Sequence, residues 1–380
     1  MDPHALVAPP SPVGYPAPFW FLELFKVFGF SLHVVPMNMW YAGAILAAVL
    51  STMFRGNARI VGHHIARVLP FALAFGINFG IIPLLFIQVA YHRVFYPATV
   101  LMAWPWFLVF WFVMTGYFAL YLHRLTVEGY RYPGLGKAAG WLAGGIFLVV
   151  GFIFANALSL MTHVGGWWGI FARSNVAGAA TGVALNFDDP TLIPRWLFMF
   201  TLAITTTAAY ISVDTAYLSH RESDDYRRYA GRFAFVMYSI GLLGFVVVGS
   251  WYIFGTRPFA FPLALKTPVM QIIFPLTAVS PGLPWLLILT QWKRPTRRLA
   301  AMTGLAQFGV IVLNAISRQW LQNVELAPYA DPTKHPVVTQ TGGIIVFLAL
   351  FVIGLGIVGW LIYKVLEAER RSESEIKHRQ

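Results

Sequence analysis

Long apolar stretches alternate with short polar segments along almost the whole chain. Nine of them hold few charged residues and can cross a bilayer, because a hydrocarbon core about 30 Å thick needs roughly 20 helical residues. They are residues 20–53, 66–91, 97–122, 138–162, 194–218, 230–255, 270–291, 299–321 and 340–365. Irregular backbone cannot satisfy its hydrogen bonds in lipid, so each stretch is predicted to be a helix. The pattern therefore predicts an all-α polytopic membrane protein with about nine transmembrane helices.

The composition agrees with a chain that lies almost entirely in the membrane. Of its 380 residues, 58% are hydrophobic and only 11% are charged, whereas a soluble protein carries about 25% charged residues. No separate soluble domain is expected. The predicted organisation is an extramembrane N-terminal segment 1–19, a helical bundle 20–366 with a long outer loop 163–193, and a charged cytoplasmic tail 367–380.

The net charge of +12 does not point to nucleic acid, because the basic residues follow the alternation of the loops. With the N-terminus outside, 19 of the 27 Lys and Arg residues fall in the inner segments and the C-terminal tail. This bias follows the positive-inside rule and predicts an outer N-terminus and a cytoplasmic C-terminus. Attraction to anionic lipid is a by-product of the same charge.

Two local features refine the predicted bundle. The pair Trp167-Trp168 opens the outer loop and suggests a helix that lies at the membrane interface. Pro275, Pro281 and Pro284 all fall in the seventh span, where they predict kinks. The chain has no cysteine, so it cannot itself ligate an iron–sulfur cluster through thiolates or attach a c-type haem.

Ionisable side chains inside the spans carry the functional information, because each is costly in lipid. His33 in the first span is either an axial haem ligand or a histidine hydrogen-bonded to a neighbouring helix. Arg318 in the eighth span either pairs with a haem propionate or a quinone oxygen, or extends to the outer interface. Asp214 in the fifth span belongs to a proton relay or makes a capping or loop contact. His64 is assigned to a solvated inner loop.

The layout and several local motifs resemble subunit I of the cytochrome bd quinol oxidases. That family has nine spans, an outer N-terminus and an inner C-terminus, and the stretch Phe25 to Thr52 resembles its first helix without a gap. His33 falls on the family's haem-ligating histidine. Further similarities, in the family's order, lie at residues 75–80, 155–159, 167–168, 186–187, 238–249 and 317–320.

The chain departs from this family at positions that serve its oxygen chemistry. The third-helix glutamate, the fifth-helix haem ligand and the eighth-helix glutamate correspond to Trp111, Phe200 and Ala315. Trp111 and Phe200 are bulky enough to fill space that a haem would occupy. The quinol-binding loop is shortened to about Thr256–Thr267, and Met270 lies near the expected methionine ligand. The resemblance therefore implies a relative that does not reduce oxygen by itself.

Two functions remain open at this point. In the first, the chain is a bd-like integral membrane subunit of a respiratory or other electron-transfer complex. It would anchor multihaem c-type cytochrome or iron–sulfur partner subunits in a bacterial cytoplasmic (inner) membrane. It would form a quinone site near the outer face from His33, Arg318, Gln319 and Asn314, or hold one b-type haem with its iron on His33. In the second, it is a haem-free scaffold or a small-molecule transporter. The catalytic residues are not identified by the sequence.

Overall fold

The computed structural model describes residues 3–129, 132–219, 222–257, 259–293 and 295–378, and these are almost entirely helical. The α-helices are α1 (Phe19–Met53), α2 (Asn57–Ala90), α3 (His92–Leu101), α4 (Ala103–Val127), α5 (Pro133–Thr162), α6 (Trp167–Arg173), α7 (Leu192–Tyr217), α8 (Asp224–Ser250), α9 (Ala260–Ala264), α10 (Pro268–Val279), α11 (Gly282–Thr290), α12 (Arg297–Ala330) and α13 (Thr341–His378). A π-helical turn, Trp251–Gly255, continues α8. Two short strands, β1 (Asn175–Val176) and β2 (Ala179–Ala180), pair antiparallel.

The nine predicted spans are confirmed. In the described part of the chain, nine helical segments are long and apolar enough to cross a membrane. They are α1, α2, α4, α5, α7, α8 with its π-helical turn, α10 with α11, α12 and most of α13. Several extend beyond the apolar stretch: α2 begins at Asn57 and α12 ends at Ala330. Capping chemistry sets such ends, as where Thr296 Oγ1 accepts a hydrogen bond from the Leu299 amide at the start of α12.

Two predicted spans are interrupted. The seventh breaks between α10 and α11 at Ser280-Pro281, where the Pro281 ring removes a backbone donor. The third was predicted as one helix from residue 97. Instead α3 ends at Leu101 and α4 begins at Ala103, and the Met102 between them is fully buried. The predicted single helix is wrong there because hydropathy does not report a change of direction within an apolar run.

Helix α1 is the centre of the bundle. It packs against α2, α5, α7 and α12, and 78% of its apolar window is buried, the largest share of any span. Its approach to α2 is close at Gly62, where a Cβ atom would lie 2.8 Å from the Ser51 backbone nitrogen. By contrast, none of the apolar window of α13 is buried, and this helix touches α1 through edge-on phenylalanine rings, among them Phe25 and Phe347.

The outer loop is folded onto the bundle. It contains α6 and the β1–β2 hairpin, whose turn residues Ala177 and Gly178 both have positive φ, 51° and 81°, as two-residue hairpins require. The helix predicted after His163 is present as α6. Trp167 packs into the protein, because its indole is fully buried and donates to the Leu160 carbonyl at 2.7 Å; the interfacial position of this helix stays a prediction.

Asp189 fastens the end of this loop to α5. Its carboxylate accepts hydrogen bonds from Ser159 Oγ at 2.5 Å, from the Thr191 amide at 2.8 Å and from Thr191 Oγ1 at 2.7 Å. Burial alone would raise the pKa of Asp189, but these bonds and the nearby Arg195 charge hold the pKa below its usual value. The ionised carboxylate is therefore part of the folded structure.

We expect Asp189→Asn to lower the free energy of unfolding at about pH 7 by about 2 kcal/mol, since two charge-assisted bonds are lost. The folded-state pKa of Asp189 is depressed. The stabilisation that its carboxylate gives the folded state is therefore fully present above the unfolded pKa and is lost as the pH falls through the folded pKa. The difference between wild type and variant should therefore shrink from about pH 5 downwards. Thermal unfolding of the purified chain in detergent measures both effects.

The neighbouring Asp188→Asn is the matched control. Asp188 is 61% exposed and pairs with Arg173 at the surface, so we expect a change below about 1 kcal/mol. Equal effects of the two variants would contradict a structural role for the Asp189 carboxylate.

Candidate functional site

Two cavities flank α1 in the half of the bundle next to the outer loop. We call them the His33 cavity, of about 640 Å³, and the Arg195 cavity, of about 470 Å³. Both are lined mainly by apolar side chains, within the usual size range of cofactor sites. Four residues line both cavities and form the wall between them: Phe30, Met37, Met199 and Arg318.

His33 lies on α1 against α2. Its Nδ1 is 2.8 Å from the Gly76 carbonyl oxygen, and because a carbonyl only accepts, Nδ1 carries the proton and Nε2 carries the lone pair. No described residue hydrogen-bonds to Nε2. The imidazole fits because residue 80 is glycine: a Cβ there would lie 2.9 Å from His33 Cε1. A positioned acceptor nitrogen therefore lines the His33 cavity.

Lys26 lines the same cavity, seven residues before His33 and thus on the same face of α1. Its side chain is buried, with Nζ donating to Gln319 Oε1 at 2.5 Å and lying 4.1 Å from the centre of the Tyr91 ring. Among the described residues no carboxylate lies within ion-pair distance of Nζ. The buried ammonium thus touches only neutral and aromatic groups among the described residues, while the Glu23 carboxylate acts on it from beyond ion-pair distance.

Arg318 of α12, in the wall between the cavities, is a second cation without a carboxylate in contact among the described residues. Its guanidinium carbon is 3.9 Å from the centre of the Phe30 ring. The described residues supply it with neither a hydrogen bond nor an ion pair. An intramembrane arginine without an acceptor is costly, so both cavities contain a cation that can receive an anion.

The Arg195 cavity has a second buried cation. Arg195 is 5% exposed and donates from Nη2 to Thr162 Oγ1 and Thr191 Oγ1, both at 3.3 Å. Its Nε is buried without an acceptor among the described residues. Beside it lies Tyr252, whose hydroxyl accepts from Arg257 Nη2 at 2.7 Å.

Arg257 itself is held by an ion pair with Glu325 of α12. It lies between the π-helical turn and α9, and its side chain is 2% exposed. Burial lowers the pKa of Arg257, while the neighbouring Tyr252 acts in the opposite direction. This pair connects the segment after α8 to α12 and closes the cavity behind Tyr252.

The predicted site residues divide between the two cavities. His33 and Arg318 line the His33 cavity, and Asn314 and Arg318 line the Arg195 cavity. Gln319 lines neither: besides accepting from Lys26, it donates to Tyr91 Oη at 2.6 Å. His33, Arg318, Asn314 and Gln319 therefore do not surround one common cavity. Gln319 lies outside both cavities and holds the Lys26 ammonium by a hydrogen bond.

The three departures from the bd family are placed differently from one another. Phe200 lies inside the bundle with its ring 5.3 Å from that of Tyr41, and Ala315 is buried. Trp111 is 45% exposed on the bundle surface and lines neither cavity. The expectation that Trp111 fills interior space is wrong, because its face of α4 points outwards.

His64 and Asp214 meet at the opposite end of the bundle. His64 Nδ1 is 3.1 Å from Asp214 Oδ2, and His64 Nε2 is 3.1 Å from Glu222 Oε1. Asp214 also accepts from Ser219 Oγ at 2.8 Å, which is a loop contact. The assignment of His64 to a solvated loop is wrong, since it lies within α2 and is packed against α7.

Sequence reasoning missed Lys26, Arg195 and Arg257. Lys26 carried a usable signal, because it lies inside the first span at helical spacing from His33. Arg195 is the second residue of the predicted fifth span, but a residue so near a helix end is as typical of an interface. Arg257 lies in a loop, and only the fold reveals its burial.

No family model matches the chain, and no curated protein matches its sequence. Among solved structures, the chain is similar to the bd oxidase from Geobacillus thermodenitrificans. The TM-score is 0.63 at 12% sequence identity, and the alignment covers 94% of this chain and 99% of that chain. A similarity at this level of identity concerns the fold, so the predicted bd oxidase-like helical bundle is confirmed and the correspondence to subunit I stays a prediction.

The ion pair between Arg257 and Glu325 can be tested by a double-mutant cycle. We expect Arg257→Met to destabilise the chain by about 3 kcal/mol, because it leaves the Glu325 carboxylate without its cation. The double variant with Glu325→Gln should recover most of that loss. The free energy of unfolding is measured in detergent for the wild type, Arg257→Met, Glu325→Gln and the double variant. Additive effects of the two single substitutions would show that the two side chains do not interact.

Proposed function

We propose that the chain is a membrane-embedded electron-transfer subunit of a respiratory complex and that the His33 cavity binds one b-type haem. The observation that carries this proposal is the His33 imidazole, whose Nδ1–H donates to the Gly76 carbonyl while Nε2 has no hydrogen-bond partner in the described part of the chain. Metal-ligating histidines usually have this arrangement, since the second hydrogen bond fixes the tautomer and the ring orientation.

The other polar groups of the cavity fit a haem as well. A haem carries two propionates, and the cavity is lined by two cations, Lys26 and Arg318, that have no carboxylate partner among the described residues. The remaining lining is mostly apolar and aromatic, as a macrocycle requires. His33 is the one imidazole among the described lining residues, and thioethers are supplied by Met37, Met114, Met161 and Met199.

A bound haem would supply one-electron redox chemistry. In this chain, His33 would hold the iron, Gly76 would keep the imidazole in the ligating tautomer, and Lys26 and Arg318 would neutralise the propionates. The aromatic lining would limit the access of water, which is one way in which a protein sets a redox potential. Because the chain has no cysteine, c-type haems or thiolate-bound clusters would belong to partner subunits. We propose a bacterial cytoplasmic membrane as the location.

A quinone in the same cavity is the second candidate. His33 Nε2 could accept a hydrogen bond from a quinol hydroxyl, and Arg318 could donate to a quinone carbonyl. The apolar cavity would suit a prenylated ring. A neutral quinone could accept hydrogen bonds from Lys26 and Arg318 but would leave both positive charges uncompensated, which is why we favour the haem. A haem-free scaffold or transporter leaves His33, Lys26 and Arg318 without a ligand.

The primary test is a reduced-minus-oxidised absorption spectrum of the purified full chain, with pyridine haemochrome quantification. We expect a b-type spectrum close to one haem per chain, and we expect His33→Ala to abolish it because no other described lining residue offers an imidazole. His163→Ala is the matched control and should retain the spectrum, since His163 Nδ1 contacts Asn186 and lines neither cavity. A haem-free wild type would overturn the haem assignment, and extraction of a quinone from it would establish the alternative.

Gly80→Ala tests the position of the imidazole without removing it. The added Cβ would lie 2.9 Å from His33 Cε1, so the ring must shift and we expect the haem content to fall at least about threefold. Gly145→Ala, also within a helix, adds its Cβ to open space and should leave the haem content unchanged. Replacing glycine by alanine stabilises either helix by about 1 kcal/mol, so neither variant should lose haem through unfolding of its helix. A lower haem content in both variants would contradict a specific effect of residue 80 on the His33 ring.

A further inference from the structure

The Arg195 cavity is open to the membrane along its side. Two of its lining residues, Val246 on α8 and Phe254 on the π-helical turn, are 52% and 69% exposed. Phe274 and Pro275 of α10 line it from the other side. In a membrane-spanning bundle these surfaces face lipid, so a molecule with a hydrocarbon chain can enter from the bilayer between α8 and α10.

The inner end of this cavity is polar and positively charged. Arg195, Arg318 and the Tyr252 hydroxyl line it, and Arg257 donates to that hydroxyl from behind. The π-helical turn brings Tyr252 into this position, and such turns often occur at functional sites. An apolar passage thus leads from the lipid to a cluster of donors.

The charges at this end do not balance. Three arginines, Arg195, Arg257 and Arg318, stand against two carboxylates, Glu325 and Asp189. Glu325 pairs with Arg257, whereas Asp189 is bound by Ser159 and Thr191 and makes no ion pair with Arg195 among the described contacts. In the chain by itself one positive charge is left over. A propionate beside Arg318 would offset it, but Arg195 would still have no ion pair of its own, and its Nε is buried without an acceptor among the described residues. A neutral ligand would leave this charge uncompensated at low dielectric.

The lining does not favour a metal cofactor. The described residues that line the Arg195 cavity include no histidine, aspartate or glutamate, and the chain has no cysteine. Imidazole, carboxylate and thiolate ligands for iron are therefore missing from the described lining, and the Tyr252 hydroxyl is already hydrogen-bonded to Arg257. This cavity differs in that respect from the His33 cavity, and a ligand in it does not depend on a haem.

We propose that the Arg195 cavity binds a membrane amphiphile with an anionic head group, its carboxylate or phosphate held by Arg195 and Arg318 and its hydrocarbon chain leaving between α8 and α10. Both a fatty acid and an anionic phospholipid carry this chemistry. Tyr252 and Asn314 add neutral hydrogen-bonding groups at the head-group end. The bound anion neutralises the remaining arginine charge, and the protein is more stable with it than without it.

The first arm of the test measures binding of radiolabelled oleate to the purified full chain in an uncharged detergent, with oleyl alcohol as the neutral probe of the same length. We expect oleate to bind at least about tenfold more tightly. Arg195→Gln should weaken oleate binding about tenfold, while Arg173→Gln, an arginine of the exposed outer loop, should leave it unchanged. Equal affinities for oleate and oleyl alcohol would overturn the proposal, as would an unaffected Arg195→Gln.

A second variant keeps the test decisive if Arg195→Gln does not fold. Val246→Trp narrows the lipid-facing entrance without changing any buried charge, and we expect it to reduce oleate binding. Val247→Trp is the matched control, because Val247 is 59% exposed but does not line the cavity. The same effect from both tryptophans would contradict an entrance at this position.

The remaining arms separate the ligand sources and the two proposals. Mass spectrometry of lipids that copurify with the chain, together with displacement of oleate by phosphatidylglycerol but not phosphatidylcholine, distinguishes a phosphate head group from a free carboxylate. Tighter binding of decyl-benzoquinone than of oleate would overturn the anionic assignment. Oleate binding should persist in His33→Ala, so a failure of the haem proposal would leave this one standing.

Discussion

Positive charge buried inside a lipid-facing bundle is the constraint on which the rest of this structure depends. Four cations lie within it near the outer loop: Lys26, Arg195, Arg257 and Arg318. Each is costly to bury unless it is paired, and of these four only Arg257 has a carboxylate in ion-pair contact, Glu325, among the described residues. The other three rest on amide, hydroxyl or aromatic groups, which donate electron density but cannot cancel a charge.

The central position of α1 turns these separate charges into two adjoining sites. One face of α1 carries Lys26 and His33 at a spacing of seven residues and lines the His33 cavity, while Asn38 lines the Arg195 cavity. The wall between them is thin, consisting of α1 side chains together with Met199 and Arg318. Because the Arg318 guanidinium borders both spaces, an anion on one side changes the field on the other. The occupancies of the two cavities are therefore electrostatically linked.

The spans could be predicted because hydropathy over about 20 residues is a local property of the chain. Proline likewise marked the break at Pro281, since its effect on the backbone is local. The outward position of Trp111 could not be predicted, because the face that α4 turns to lipid is decided by its neighbours. The contact of His64 with Asp214 joins positions 150 apart in sequence, and no pattern within either helix indicates it. His33 and Arg318 could be singled out as ionisable groups within spans, but their shared cavity depends on how α1 and α12 pack.

Close packing makes the interior cations of this bundle costly to replace. Each of these side chains fills space in a close-packed interior, so replacing it leaves a void whose lining loses its contacts. Keeping the cation instead requires a counter-charge, which the described residues supply only in part. A bound anion that meets this requirement stabilises the folded state by its own binding free energy. An anion bound at this end of the bundle would then be a structural component, so the chain's stability and its ligand occupancy have to be measured together.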